Sequence, residues 1–229
     1  MNFNWIKLLT IAIFLSPFAT YAKDRVFVTN EKSNNISVIN AETLVIEDTI
    51  DIGDRPRGIG LSPDSSELYV AISEENKIVV MDPNSLEILR DFEAGSDPET
   101  FAVHPNGNIY ISNEDDAKAS VYDPKTGKEL AVIKVGLEPE GVTISPDGKR
   151  VIVTSESTNM LHVITASDNT IESNILVGSR PRSAVFTRSG DIAYATAEIS
   201  GEVVKVDIIN AKILKTVPLG DSKAKPKDV

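Results

Sequence analysis

The sequence predicts an all-β fold of repeated four-stranded antiparallel sheets, and three observations carry that prediction. A glycine recurs at Gly53, Gly95, Gly136, Gly178 and Gly220, in steps of 41 or 42 residues. A proline follows three residues later at Pro56, Pro98, Pro139 and Pro181. Apolar runs ending in a polar step keep the same register: VFVTNE from Val26, LYVAIS from Leu68, IYISNE from Ile109, VIVTSE from Val151 and AYATAE from Ala193. A period of this size, filled with short strands, is that of a β-propeller with one blade per unit.

The N-terminal 22 residues stand outside the repeat. Lys7 is their only charge, an apolar run from Leu8 to Leu15 follows, and Thr20-Tyr21-Ala22 places small residues where signal peptidase cuts. The pattern is that of a secretory leader cleaved after Ala22, with an apolar run too short to span a bilayer. The expected division is therefore a signal peptide over 1–22 and a propeller over 23–229, in a periplasmic or secreted protein without membrane insertion.

Within each unit the elements follow one order. A short strand comes after the proline, at Gly58–Leu61, Thr100–Val103, Gly141–Ile144 or Ser183–Phe186. A tight turn ends it (SPDS at Ser62, HPNG at His104, SPDG at Ser145, TRSG at Thr187), because Pro, Asp, Asn and Gly supply the dihedral angles a turn needs. The VFVTNE-type run is the second strand. A polar loop leads to a third, such as Ile36–Ile39, Ile78–Met81 or Val203–Val206, and a second turn (DPNS at Asp82, DPKTG at Asp123) leads to an outer strand such as Glu129–Val135. Runs of four to seven residues rich in Val and Ile are strand signals, not helix signals.

Composition excludes several function classes. With no cysteine, the chain has no disulfide, thiol nucleophile, covalent c-type haem or lipid-anchoring cysteine. A net charge of -11, from 23 basic and 34 acidic residues, argues against nucleic acid and anionic membranes as partners. No G-x-S-x-G elbow, phosphate loop or dinucleotide fingerprint is present. His104 replaces a turn serine, and His162 falls on a third strand where burial is expected. Two isolated histidines without cysteines do not make a structural zinc site.

The pattern P-x-G-[IV]-x-[IL]-S-P-D-G, followed by a β-run ending T-N or S-N, resembles the YVTN-type β-propeller repeat over nearly the whole chain after the leader. The loops RPRG, DPET, EPEG and RPRS, with NEDD and SESTNM, are similar to those of the β-propeller proteins associated with PQQ-dependent alcohol catabolism. This resemblance implies an exported, seven-bladed parent linked to a quinoprotein dehydrogenase and a transport system. Quinoprotein dehydrogenases dock their blades with repeated tryptophans, whereas the only tryptophan here is Trp5, inside the leader. No PQQ site, and no other cofactor, is evident.

Counted strand by strand, the chain holds four complete blades and one three-stranded blade, because it enters the repeat at a second strand, Val26. After the last outer strand, Ile213–Leu219, comes a lysine-rich tail, Lys223 to Val229, in which no closing strand is recognised. The expected ring of about five blades is therefore open, as a truncated or fragmentary sequence or as a chain that closes by association. An open ring exposes unpaired edges.

The candidate site lies on one face. The proline loop is charged on both flanks in every complete copy: Arg55 and Arg57, Asp97 and Glu99, Glu138 and Glu140, Arg180 and Arg182. It feeds the innermost strand, so these residues should ring the mouth of the central channel. Glu31, Glu114, Glu156 and Glu198 follow second strands on the same face, extended by Asp115 and Asp116. Two readings stay open. One is a set of cross-blade salt bridges, each worth roughly 0–1 kcal/mol where exposed. The other is a recognition site, in which arginines bind carboxylate or phosphate and clustered carboxylates call for a cation or amine. A divalent cation is conceivable, but no ligand spacing specifies a metal. The expected function is a non-enzymatic binding or accessory protein for a small ligand or a periplasmic partner. The alternative is a lactonase-like hydrolase using Glu99, Glu140, Arg57 and Arg182.

Overall fold

The computed structural model describes residues 24–221 and 223–228. The expected leader lies outside the described residues. The remainder forms nineteen strands in five antiparallel sheets. The first blade has three strands, β1 (Arg25–Asn30), β2 (Asn35–Asn40) and β3 (Ile46–Asp51). Four strands make each of the others. Blade two contains β4 (Pro56–Leu61), β5 (Leu68–Ile72), β6 (Lys77–Met81) and β7 (Ile88–Glu93). Blade three contains β8 (Pro98–Val103), β9 (Ile109–Asn113), β10 (Lys118–Asp123) and β11 (Lys128–Lys134). Blade four contains β12 (Pro139–Ile144), β13 (Arg150–Ser155), β14 (Met160–Thr165) and β15 (Thr170–Leu176). Blade five contains β16 (Pro181–Phe186), β17 (Ile192–Ala197), β18 (Glu202–Asp207) and β19 (Lys212–Pro218).

Each sheet is a meander whose spatial order is its chain order. The innermost strands β4, β8, β12 and β16 pack on one another and line the centre. They begin at the proline itself, two residues before the strand start expected from sequence. No strand pairs with β1 on its channel side among the described residues, and Val26 and Val28 on β1 are exposed. A single turn of 3₁₀ helix, Ser73–Glu75, interrupts the all-β pattern. No helix among the described residues is long and apolar enough to cross a membrane.

The core lies between blades, in four clusters that each join two neighbours. Alternation along the second strand explains this, since successive side chains of a strand point to opposite faces. Leu68, Val70 and Ile72 pack toward Ile36 and Ile52 of blade one, while Tyr69 and Ala71 pack toward Ile109 and Ile111 of blade three. Both faces of such a strand are buried, which is why β5 is continuously apolar.

Candidate functional site: the charged face of the channel

The proline loop is built by strain and a latch. Arg55, Asp97, Glu138 and Arg180, each just before its proline, have φ of 58°, 43°, 53° and 61°. Left-handed backbone costs an L-residue roughly 1–2 kcal/mol. Two contacts hold it. The carbonyls of these four residues accept from the backbone N–H of Ser73, Glu114, Glu156 and Glu198. The N–H groups of Arg55, Asp97 and Arg180 donate to the side-chain oxygens of Asn34, Asn76 and Asn159 in the preceding blade, at 2.9–3.1 Å. Ala117 stands where blade three would carry that asparagine, so the loop of Glu138 lacks this latch.

The residue after each proline sits where the register slips: pairing breaks between Pro56 and Ile59, Pro98 and Phe101, Pro139 and Val142, Pro181 and Ala184. A bulge re-aims a side chain, and here it gathers Arg57, Glu99, Glu140 and Arg182 from successive blades. Ser/Thr side chains near the end of the second strands fix how deep the next strand lies. Thr29, Ser112 and Thr154 donate to the carbonyls of Arg57, Glu140 and Arg182. In blade two, where Ala71 holds this position, Ser73 donates to the Pro98 carbonyl instead.

The resulting network runs across the ring. Arg55 and Arg57 both reach Glu31 at 3.1 Å. Arg55 also holds Asp97 at 3.0 Å and Glu99 at 2.8 Å, and Arg57 contacts the other Glu99 oxygen. Glu140 Oε1 accepts from Arg57 at 2.9 Å and from Arg182 at 2.8 Å. Arg182 and Arg180 meet Glu156 at 2.9 and 2.8 Å, and each lies 3.4 Å from Glu198.

Burial sets the electrostatics. The Glu99 side chain is fully buried, and burial, with Glu140 beside it, pushes its carboxyl up to about 9 against the pull of Arg57 and Arg55. Glu114 adds a hydrogen bond to Glu99 that acts in the same upward direction. Burial likewise raises Glu156, opposed by Arg182. The Arg55 hydrogen bond lowers Glu31. Asp97, Glu99 and Glu114 bring carboxylate oxygens within 4.8 Å of one another, and the Arg55 guanidinium is bound to two of the three.

Ten of the eleven residues expected at this face are thus brought together. Glu138 is not: its side chain is exposed, with no partner among the described residues, and only its backbone carbonyl is held, by the Glu156 N–H. Glu31 joins the network, as its place past a second strand suggests. The Asn latch and the Ser/Thr anchors went unnoticed in the sequence, though both recur at the repeat spacing. Accessibility also separates the four residues suspected of chemistry. Glu140 and Arg182, with Thr100, line a cavity of about 320 Å³ on the channel side, while Glu99 lies behind them, out of reach.

The histidines lie elsewhere. Asn106 N–H donates to His104 Nδ1, and His104 Nε2 lies 2.7 Å from the Gly148 carbonyl, tying together turns of blades three and four at the opposite end. A larger cavity of about 640 Å³ opens there, lined by His104, Lys149, Arg150 and Glu172, with Arg150 paired to Glu172. His162 is buried between Ser155 Oγ at 3.0 Å and Asn174 Oδ1 at 2.6 Å, the outline of a nucleophile triad. Its Nε2 already accepts the Gly136 N–H at 2.8 Å, so no lone pair is left to activate Ser155. Burial holds the His162 pKa down.

No family model and no curated protein sequence matches the chain. Solved structures do. The chain resembles Kuenenia stuttgartiensis hydrazine synthase at 26% identity and a TM-score of 0.67, over 71% of this chain and 48% of that one. It resembles a functionally unknown protein from Desulfotomaculum acetoxidans at 17% identity and a TM-score of 0.75, over 85% of this chain and 66% of that one. It also resembles virginiamycin B lyase from Staphylococcus aureus, an inactive H270A form with quinupristin, at 17% identity and a TM-score of 0.78, over 90% and 70% of the two chains. The chain therefore spans about half of the first structure and about two thirds of the second. These matches are likenesses of the β-propeller fold. They correct the expectation of a non-enzymatic protein, because the lyase and the synthase are enzymes built on it.

Proposed function

We propose that the protein binds a small polar substrate in the channel cavity and hydrolyses it as a lactonase-like enzyme. The observation that carries this reading is the Glu140–Arg182 pair. Two side chains from adjacent blades meet at 2.8 Å, and both face the same cavity of about 320 Å³. In this scheme a lactone carbonyl lies against Arg182, which stabilises the oxyanion as water adds. Glu140 takes the proton of the attacking water and returns it to the ring alkoxide as the C–O bond breaks, giving a hydroxy acid. Arg57 orients Glu140 from behind, and Glu99 holds Arg57. The named ligand of the lyase, quinupristin, supports the idea that this scaffold accommodates small-molecule chemistry.

The repeat and loop resemblance supports a setting for the activity: an exported YVTN-type propeller serving PQQ-dependent alcohol oxidation and its transport system. The test is turnover of a lactone panel, with and without chelator. Glu140→Gln should lower turnover by roughly 10²–10⁴, the usual share of a general base. Saturable binding without turnover of any lactone would overturn the hydrolytic assignment.

A further inference from the structure

The last described residues do not run free. Thr196 Oγ1 shares its hydrogen between the Ser183 and Lys227 carbonyls, each at 3.4 Å, and Ser183 Oγ donates to Asp228 Oδ1 at 2.6 Å. Thr196 holds on β17 the position that Thr29, Ser112 and Thr154 hold on β1, β9 and β13. Each of those three bonds the carbonyl of the residue after the next blade's proline. The residue before Lys227 is Pro226, and Lys225-Pro226-Lys227 repeats the basic–proline–basic order of Arg55-Pro56-Arg57 and Arg180-Pro181-Arg182.

We infer that Lys225-Pro226-Lys227 is a fifth proline loop, seated where a next innermost strand begins, and that its Lys227 belongs to the charged cavity face. This loop escapes the sequence period because Pro226 follows Gly220 by six residues instead of three. The structure shows how the extra residues fit. Where earlier blades carry Asn34, Asn76 and Asn159, blade five carries Gly201 at φ 64°. The Ala224 carbonyl occupies the space a Cβ on Gly201 would need, 3.0 Å away. A side chain there would block the longer path.

Charge agrees with this register. Glu31 and Glu156 each pair with both arginines of the following loop. Glu198 occupies the same place before Lys225 and Lys227, and its contacts to Arg180 and Arg182 are long at 3.4 Å. Lys227 and Asp228 complete the wall of the cavity that holds Glu140 and Arg182.

The absence of native cysteines makes a direct test available. In the full chain, Ser183→Cys with Asp228→Cys should form an intramolecular disulfide under mild oxidation, several-fold faster than Ser183→Cys with Lys223→Cys. Backbone NMR supplies a second readout: Thr196→Val should move the Lys227 carbonyl resonance, and Thr154→Val should leave it in place. Equal cross-linking of the two pairs, a disulfide formed only between chains, or a Lys227 carbonyl indifferent to Thr196→Val would overturn the inference.

Discussion

Arg57 Nη2 donates to Glu140 Oε1 at 2.9 Å although 83 residues, and the whole of blade three, separate them in sequence. The same nitrogen contacts Glu99 of the intervening blade. With Nη1 on Glu31 of blade one, a single guanidinium ties four consecutive blades at the channel, and a planar fork is suited to such bridging in a way an ammonium is not.

Removing it should be costly for the carboxylates left behind. Breaking a buried pair from one side typically costs about 3–5 kcal/mol, because the orphaned charge stays buried. Arg57→Met should fall in that range in urea unfolding. Arg57→Met combined with Glu99→Gln should lose clearly less than the sum of the single losses, since neither side of the Arg57–Glu99 contact is then left without its partner. Additive losses would show that the two groups do not act together.

The raised Glu99 carboxyl predicts a pH dependence of definite sign. Above its ordinary value of 4.5 the unfolded chain releases this proton, while the folded chain holds it up to about 9. The unfolded state then binds fewer protons, so this group makes stability fall as pH rises through that window, by at most about 1.4 kcal/mol per pH unit. Glu156 shifts in the same direction. Glu99→Gln stays neutral at every pH and should flatten the decline between pH 5 and 9. An unchanged slope in the variant would assign the pH dependence to other groups.

The fold was legible because every blade repeats the same local chemistry. Glycine, proline, turn residues and alternating apolar runs recur at one spacing, and each is explained within its own unit. The candidate face was legible only as a set of positions. That Arg57 spans to Glu140, that Glu99 sits behind the cavity, and that Glu138 is left aside follow from bulges and side-chain reach across blades, which local spacing does not encode. The Lys225–Lys227 loop was missed for a related reason. Its inferred register follows Thr196 and Gly201, and Pro226 lies six residues past Gly220 where the repeat has three.

Close approach of the innermost strands gives a packing prediction. A Cβ on Gly141 would run into the Arg182 carbonyl, and one on Gly58 would lie 3.0 Å from the Thr100 Cα. Both obstacles are backbone, which cannot swing aside. Gly141→Ala should cost about 1–3 kcal/mol, as overpacking does, and should weaken the Glu140–Arg182 pair by pushing β12 from β16. Thermal unfolding gives the stability, and lactone KM gives the site effect. A neutral Gly141→Ala would mean that the strands separate freely.

Glu138 is the one charged flank of a proline loop that can be changed without breaking a bond. It has φ 53°, an exposed side chain with no partner among the described residues, and no asparagine latch behind it. Its left-handed backbone is a cost, and asparagine adopts that conformation more readily than glutamate. Glu138→Asn should therefore raise stability by about 0.5–1 kcal/mol. Arg55→Asn is the control, since its φ of 58° offers the same backbone relief. That change also removes the contacts to Glu31, Asp97 and Glu99, so it should destabilise. Opposite signs at two positions of nearly equal φ would show that Arg55 is retained for its guanidinium. A loss in both would mean that Glu138 has a role in holding the loop.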